Sequence, residues 1–211
     1  MHIPKNFEQN DPEQLKAVIK EHSFATLITY SDGELEANHI PMVLVESGDQ
    51  NLLQGHLALA NPLWKSIKEG SDVLVIFHGP NSYISPNFYP TKQETGKVVP
   101  TWNYVAVHVQ GAMNCIHDDD WKMDLITRLT DQHEAAQEKP WSVSDAPEDY
   151  TRRMLPAIVG IEIEVSSIVG KWKVSQNQPE KNKQGVVAGL SESANTNNVE
   201  MAAIVKEQMI V

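Results

Sequence analysis

The segment Val99 to His108 carries the side chains of this sequence that are best suited to hold a ligand. It reads Val-Pro-Thr-Trp-Asn-Tyr-Val-Ala-Val-His and has the composition of a β-strand. Successive side chains of a strand point to opposite faces, so Trp102, Tyr104 and His108 share one face while Asn103 lies on the other. Two aromatic rings and an imidazole on one face predict either a core layer or the wall of a site for a flat ligand with polar edges.

A second candidate segment reads Asn38-His39-Ile40-Pro41-Met42. A proline within a strand belongs at an edge or a bulge, where backbone groups are left free for another partner. Free amides and carbonyls suit the edge of a heterocycle, which makes His39, Ile40 and Pro41 candidate ligand contacts. The alternative is that His39 is a core histidine with its hydrogen bonds satisfied.

In the third segment, residues 54–65, a strand runs into Asn61-Pro62 and a short helix. The free amides of a helix N-terminus suit a phosphate, and a lysine one turn later adds charge. Gly55 and two alanines permit a ligand to approach the backbone closely. The alternative is an ordinary capped helix with a surface lysine. The candidate contacts are His56, Ala58, Ala60, Asn61, Trp64 and Lys65.

Two further segments place polar groups at strand ends. Tyr83-Ile84-Ser85-Pro86 offers the hydroxyl of Ser85 before a long loop. Residues 170–177 place two lysines on one face and then three hydrogen-bonding side chains. The candidates there are Lys173, Ser175, Gln176 and Asn177, although a basic strand end is also typical of solvated surface.

Other chemistries are not supported by the sequence. The eight histidines lack the short spacings that place two metal ligands on one helix or hairpin, so we expect no metal site. No Gly-x-Ser-x-Gly, phosphate-loop or Gly-x-Gly-x-x-Gly pattern is present. Cys115 follows an apolar strand, and we expect an inert buried thiol. No catalytic residue is assigned.

The elements that must position these segments form a meander of antiparallel strands decorated by helices. Turn signals at Ser31-Asp32-Gly33 and Ser47-Gly48-Asp49 separate the first strands. We predict strands at 24–30, 35–45, 52–57, 72–77, 83–85, 101–116 and 157–174, with a bulge or bend at Gly111. We predict helices from Asp11-Pro12, from Asn61-Pro62 to Gly70, at 118–133, before Leu155, and at 185–190 and 199–209, with a polar loop at 87–100. Many short strands with few parallel crossovers predict a mainly β (α+β) fold, a closed or split antiparallel barrel.

Composition limits the classes of function. The 211 residues fit one domain, residues 1–211, with a helical tail from about residue 178. A net charge of −11 argues against a surface that grips nucleic acid, and the tail has only Lys206 on its second helix. A single cysteine fits a reducing compartment. No signal peptide and no run of about 20 apolar residues is present, so we expect a soluble cytoplasmic protein with no membrane partner.

Taken in order, the candidate segments resemble the PaiB family. The shared motifs are His39-x-Pro41, Gly55-His56-x-Ala58 with Asn61-Pro62-x-Trp64, Phe77-His78-Gly79-Pro80 with Tyr83 to Pro86, Val99 to His108, and Gly170 to Asn177. The resemblance runs from Met1 to the tail.

PaiB proteins are described as FMN-binding negative transcriptional regulators with the split-barrel fold of pyridoxamine-phosphate oxidases and flavin reductases. The resemblance therefore implies an FMN-binding split barrel and a homodimer with flavin in a groove between subunits. It implies that His39 to Pro41 lie near the flavin ring and His56 to Lys65 near the phosphate. Trp102 to His108 and Lys173 to Asn177 would complete the walls, from the same chain or its partner.

Two positions depart from the family pattern. Leu59 stands where the family has arginine, and loss of one charge-assisted hydrogen bond costs about 1.5–3 kcal/mol. Lys65 or Lys173 is the candidate substitute. Asn87-Phe88-Tyr89 stands where the family has Ser-Trp-Tyr, which retains aromatic bulk without the indole donor.

Three functions follow from these observations. The first is an FMN-binding regulator of the PaiB type, with DNA as a partner that the charge does not support. The second is a flavin-dependent oxidoreductase, in which His56 or His108 tunes the ring or donates a proton. The third is a degenerate split-barrel dimer that binds no flavin, for which Leu59 is the indication.

Overall fold

The computed structural model describes residues 1–48 and 50–209, so Asp49 of the second predicted turn lies outside the described residues. The strands are β1 Glu8–Gln9, β2 Phe24–Ser31, β3 Glu34–Ser47, β4 Gln50–Ala58, β5 Ser71–Ile84, β6 Thr101–Ile116 and β7 Ile158–Lys173. The helices are α1 Pro12–Glu21, α2 Leu63–Ser66, α3 Thr91–Thr95, α4 Asp119–Glu134, α5 Glu148–Met154, α6 Glu180–Ser191 and α7 Thr196–Glu207. Short 3-10 turns lie at Lys5–Phe7, Pro86–Phe88, Val143–Asp145 and Leu155–Ala157.

The strands form one seven-stranded sheet in the order β1-β7-β4-β3-β2-β5-β6. A further pairing of β7 with β6 closes the run of six long strands on itself. The pairs β2–β3, β3–β4, β4–β7, β2–β5 and β1–β7 are antiparallel. The predicted mainly β fold with an antiparallel barrel and decorating helices is therefore confirmed.

The chain divides into two compact units. Unit 1 comprises Met1–Leu15, His78–Val107 and the chain from Val169 onward, and unit 2 comprises Lys16–Phe77 and His108–Ile168. β5, β6 and β7 contribute residues to both units.

Unit 2 contains the hairpins that the turn signals predicted. β2 and β3 pair from Ser31 opposite Glu34 to Phe24 opposite Pro41. Asp32 and Gly33 adopt positive φ angles of 52° and 88°, which a tight two-residue hairpin requires. The alternate residues Ala25 and Leu27 are fully buried in the core. Other fully buried side chains of this core include those of Met42, Leu53, Phe77, Met113, Leu125, Ile161 and Ile163.

Unit 1 contains the helical tail. α6 and α7 bury Val186, Leu190, Met201 and Val205. The Phe88 ring packs directly against Gly189. A Cβ at position 189 would overlap the ring carbons. The 3-10 turn that carries Phe88 therefore lies directly against α6.

Three sequence-based boundaries are wrong. The strands predicted at 72–77 and 83–85 are one strand, β5, because Gly79 marks a close approach of the Val105 side chain rather than a strand end. The helix predicted to end at Gly70 ends at Ser66, and Gly70 turns into β5 with a φ of 73°. The predicted loop 87–100 contains a 3-10 turn and α3.

Two smaller differences concern glycines. The first tail helix begins at Glu180, so Gly185 lies within it rather than at its start. Gly111 allows β7 to approach β6 closely, because a Cβ there would overlap the carbonyl of Glu164.

Among the described residues no helix is long and apolar enough to cross a membrane.

Candidate functional site

Half of the residues predicted to contact the flavin lie in unit 2. They are on β3, on β4, and in the turn and α2 that follow β4. We call this set the histidine cluster: His39, Ile40, Pro41, His56, Ala58, Ala60, Asn61, Trp64 and Lys65. β3 and β4 pair antiparallel from Ser47 opposite Gln50 to Met42 opposite Gly55, so residues 39–41 and residues 56–58 both flank the same end of this pairing. Gly55 itself does not face a ligand, because a Cβ there would lie 2.9 Å from the carbonyl oxygen of Pro41.

Asn61 joins the two parts of the histidine cluster. Its Nδ2 donates to Asn38 Oδ1 at 2.6 Å, and its Oδ1 accepts from the amide of Leu63 at 2.9 Å. α2 is a single turn whose first amide is already bonded. The predicted phosphate site on free helix amides therefore has little support, and the cation Lys65 is the better candidate to hold an anion there.

Lys65 borders a hollow of about 630 Å³ lined by Leu59, Ala60, Trp64, Lys65 and Ala157. The Lys65 Nζ lies 5.0 Å from the centroid of the Trp64 ring. Trp64 Nε1 donates to the carbonyl of Leu59 at 2.9 Å, and the amide of Leu59 donates to Ala157 at 2.8 Å. The backbone at Leu59 is thus fixed while its side chain is 42% exposed beside Lys65.

The two histidines of the cluster differ in environment. His39 is exposed, its Nδ1 lies 3.2 Å from Thr26 Oγ1, and its ring packs at 6.4 Å from Phe24. His39 is therefore not a core histidine. His56 is half-buried, and its Nδ1 has no hydrogen-bond partner among the described residues. Burial lowers the pKa of His56, so its imidazole is neutral near pH 7.

A second set, the aromatic cluster, lies in unit 1 and comprises Tyr83, Trp102 and Tyr104. Trp102 is 54% exposed, and its ring meets that of Tyr83 edge to face at 5.9 Å. The Nζ of Lys171 lies 5.1 Å from the Tyr104 centroid. On the opposite face Asn103 is buried. The Trp102 and Tyr104 face of β6 is therefore accessible, which favours a site wall over a core layer.

A third set surrounds a cavity of about 170 Å³ in unit 1, which we call the lysine cavity. Its lining residues are Tyr89, Val99, Thr101, Asn103, Lys173, Ser175, Asn177 and Gln178. Lys173 Nζ donates to Thr101 Oγ1 and to the carbonyl of Trp102. Asn103 Nδ2 donates to Ser175 Oγ at 2.9 Å. Ser175 adopts a φ of 66°, a left-handed conformation that non-glycine residues rarely adopt and that often marks a functional site.

The remaining candidates have structural roles or lie apart from these sets. Gln176 closes its own turn, accepting from the amide of Val174 at 2.8 Å and donating to Trp172 O at 2.6 Å. Ser85 accepts from the amide of Asn87 at 3.2 Å and so caps a 3-10 turn. His108 is half-buried in unit 2.

Several lining residues were not predicted from the sequence, namely Tyr89, Thr101, Ala157 and Gln178. Thr101 stands in the Val-Pro-Thr-Trp-Asn-Tyr motif, which is the signal that identifies it. Tyr89 stands in the Asn87-Phe88-Tyr89 stretch that was compared with the family pattern, whereas Ala157 and Gln178 carry no local signal. Among the described residues, no group of three or more His, Cys, Asp or Glu side chains is placed to hold a metal ion.

Comparison with known proteins places this geometry in a family. Residues 1–167 match the family model described as "Putative FMN-binding domain". The Bacillus subtilis (strain 168) protein "Protease synthase and sporulation protein PAI 2" is 32% identical over 209 residues, covering 99% of this chain and 98% of that protein.

Two solved structures share the fold. The flavocytochrome Anf3 from Azotobacter vinelandii superimposes with a TM-score of 0.56 at 14% identity, over 81% of this chain and 72% of that chain. The FAD and heme binding protein from Mycobacterium smegmatis also gives 0.56, at 17% identity over 86% of this chain and 80% of that chain.

The fold and the polar clusters define a flavin-type split barrel. The chain belongs to the PaiB family of FMN-binding-domain proteins, and its cofactor is FMN. The residues present fit this cofactor. The shallow hollow beside Lys65 offers an apolar floor and one cation for the phosphate.

Proposed function

We propose that two copies of this chain hold each FMN between the histidine cluster of one copy and the aromatic cluster of the other. The resulting homodimer acts as a cytoplasmic, flavin-dependent negative regulator of transcription. When bound, FMN supplies reversible electron transfer, and the protein supplies binding, orientation and electrostatics.

The exposed apolar face of the β2–β3 hairpin is the observation that carries this proposal. Phe24, Tyr30 and Leu35 are 68%, 62% and 74% exposed. Tyr30 lies opposite Leu35, and Phe24 packs on His39. Large apolar side chains exposed on one face of a hairpin are typical of an interaction site. A second copy is the occupant that we propose, because this face continues into the histidine cluster.

The exposed Trp102 and Tyr83 rings support the same arrangement. They offer flat apolar surface in unit 1 that a single chain leaves open to solvent. In the proposed dimer, this surface covers a flavin whose phosphate lies at Lys65 of the other copy. Lys65 then takes the role of the arginine that the family has at the position of Leu59.

The charge of the molecule supports regulation through flavin state or a protein partner rather than through direct contact with an operator. The net charge is −11, and α7 carries Lys206 together with Glu200 and Glu207. Phosphate contacts require clustered cations. The helical pair α6–α7 is therefore proposed as a packing element.

A flavin-dependent oxidoreductase is the second candidate, and His56 favours it. A neutral imidazole with an unpaired Nδ1 in the histidine cluster is suited to exchange a proton during flavin reduction. Oxidation of a nicotinamide cofactor that depends on added FMN, and that is lost in His56→Gln, would favour this candidate.

Titration of the purified protein with FMN, together with its mass in solution, tests the main proposal. Leu35→Glu places a charge on the β2–β3 face, and Val199→Glu is the matched control on exposed α7 surface. We expect Leu35→Glu to give monomers that bind FMN at least about tenfold more weakly. Val199→Glu should change neither property. A Leu35→Glu protein that remains dimeric with wild-type FMN affinity contradicts the proposal.

We also propose that residues 1–211 unfold as one domain, since β5, β6 and β7 each contribute to both units. Coincident urea transitions by tryptophan fluorescence and circular dichroism would support this proposal. Two separate transitions would contradict it.

A further inference from the structure

Lys173 has an unusual environment for a lysine. Its ammonium donates to two neutral acceptors, Thr101 Oγ1 and the carbonyl of Trp102, and an ammonium has three donors. Among the described residues no carboxylate bonds to it. Burial and the positive charge of Lys171 both lower the pKa of Lys173. The cation is therefore kept in a partly desolvated place without a counter-ion, which is costly unless an anion completes the site.

The neighbouring lysine adds to the positive potential. Lys171 is 8% exposed on the same face of β7, and its Nζ donates to the carbonyl of His2 at 3.0 Å. Its other contact is the face of the Tyr104 ring. The buried Lys171 and the half-buried Lys173 thus have no acidic side-chain partner in the described chain.

The walls of the lysine cavity add hydrogen-bond donors and no acid. Ser175 Oγ accepts from Asn103, so its own hydrogen is left to donate. Gln178 Oε1 accepts from Asn182 Nδ2 at 3.0 Å, which leaves the Gln178 amide hydrogens available. Burial raises the pKa of the Tyr89 phenol, so it stays a neutral donor. None of the lining residues is aspartate or glutamate.

The size of the cavity limits the occupant. Its volume of about 170 Å³ is below the range of about 300–1,000 Å³ that is typical of sites for whole small molecules. A complete flavin does not fit, whereas a phosphate or carboxylate group with one or two waters does.

We propose that the lysine cavity is a binding site for an oxyanion group, a phosphate or a carboxylate, held by Lys173 with Ser175, Asn177 and Gln178. The oxyanion has two possible sources, a small independent anion or the phosphate of FMN itself. The inference that an oxyanion binds does not depend on the proposed function, because inorganic phosphate alone tests it.

The test is a calorimetric titration of the flavin-free full-length protein with inorganic phosphate and with acetate. Sodium chloride at equal ionic strength is the control. We expect saturable binding that Lys173→Met weakens at least about tenfold. Lys139→Met removes the same charge from an exposed loop and should leave binding unchanged. Asn177→Asp adds a negative charge at an exposed lining position and should also weaken binding, without disturbing the core.

Repetition of the titration with saturating FMN, and then with saturating riboflavin, identifies the source. Phosphate that still binds in the presence of FMN indicates an independent anion. Phosphate excluded by FMN but not by riboflavin indicates that the flavin phosphate occupies the cavity in place of the Lys65 site proposed above. The proposal is overturned if Lys173→Met and Asn177→Asp, both folded by circular dichroism, bind phosphate as Lys139→Met does, or if no binding above the chloride control is found. The proposed function is tested separately, by FMN titration of the Leu35→Glu protein, and the outcome of that titration does not depend on phosphate binding in the lysine cavity.

Discussion

The side chain of Asn61 bonds to that of Asn38 at 2.6 Å, and so connects the turn after β4 to β3. The Oδ1 of the same Asn61 accepts from the amide of Leu63, the first residue of α2. One amide thus fixes the position of Lys65 relative to His39, which are the two ends of the histidine cluster.

Asn38→Ala should therefore loosen the flavin site more than it lowers stability. The substitution removes the neutral bond to Asn61, worth about 1 kcal/mol in the free energy of unfolding, and a second bond from Asn38 Nδ2 to the exposed Glu36 carboxylate. FMN affinity should fall several-fold because Lys65 is less well positioned. Urea unfolding and FMN titration measure the two effects. Asn10→Ala, at an exposed position, is the control, and equal FMN affinity in the two variants would contradict the positioning role.

Substitutions at the hollow should separate recognition of the phosphate from recognition of the ring. Lys65→Met should weaken FMN at least about tenfold and leave riboflavin unchanged, because in the proposed site the ammonium contacts the phosphate and not the flavin ring. Leu59→Arg restores the family residue at an exposed position and should strengthen FMN by a similar factor. Lys68→Met is the charge control. A parallel loss of riboflavin and FMN affinity would show that Lys65 does not hold the phosphate.

The burial of His56 predicts how stability depends on pH. Its folded-state pKa lies below the ordinary value of about 6.5, so the unfolded chain binds the proton more readily. Stability contributed by neutral His56 is complete above pH 6.5 and is lost as the pH falls from there toward the folded-state pKa. Urea unfolding at a series of pH values should show this slope. The slope should shrink in His56→Gln and persist in His133→Gln, whose imidazole is exposed. A slope that is identical in all three proteins would refute the assignment.

Cys115 should react slowly with thiol reagents. Burial, and then the negative charge of Glu69, raise the pKa of this half-buried thiol. Since the thiolate is the reactive form, the rate with Ellman's reagent at pH 7.5 should be well below that of the urea-unfolded chain. Glu69→Gln should increase the rate in the folded protein. Folded and unfolded chains that react equally fast would exclude a protected thiol.

The sequence predicted those parts of the fold that local chemistry determines. The Asp11 cap of α1, the Ser31-Asp32-Gly33 turn and the alternation along β6 each depend on residues close in the chain, and each is found. The errors arose where a distant residue decides. The strand predicted to end at residue 77 continues to Ile84, and Gly79 within it admits the side chain of Val105 from the neighbouring strand.

The same distinction applies to the site. The sequence selected His39 on β3, Lys65 on α2 and Trp102 on β6 as candidate ligand contacts, and all three side chains are exposed. It did not indicate that Asn61 would occupy the first helix amide, or that Lys173 would lack an acidic partner. Such properties depend on which tertiary neighbours are present, and no local pattern records them.

The contact between Phe88 and Gly189 limits how this family can diverge. The Phe88 ring occupies the space that a side chain at position 189 would need. A larger ring at position 88 or any side chain at 189 is therefore expected to be tolerated only together with a compensating change, so that the effects of the two substitutions are strongly non-additive. In an alignment of relatives, these two columns should covary, and the exchange of tryptophan for phenylalanine at position 88 should be accompanied by changes along that turn of α6.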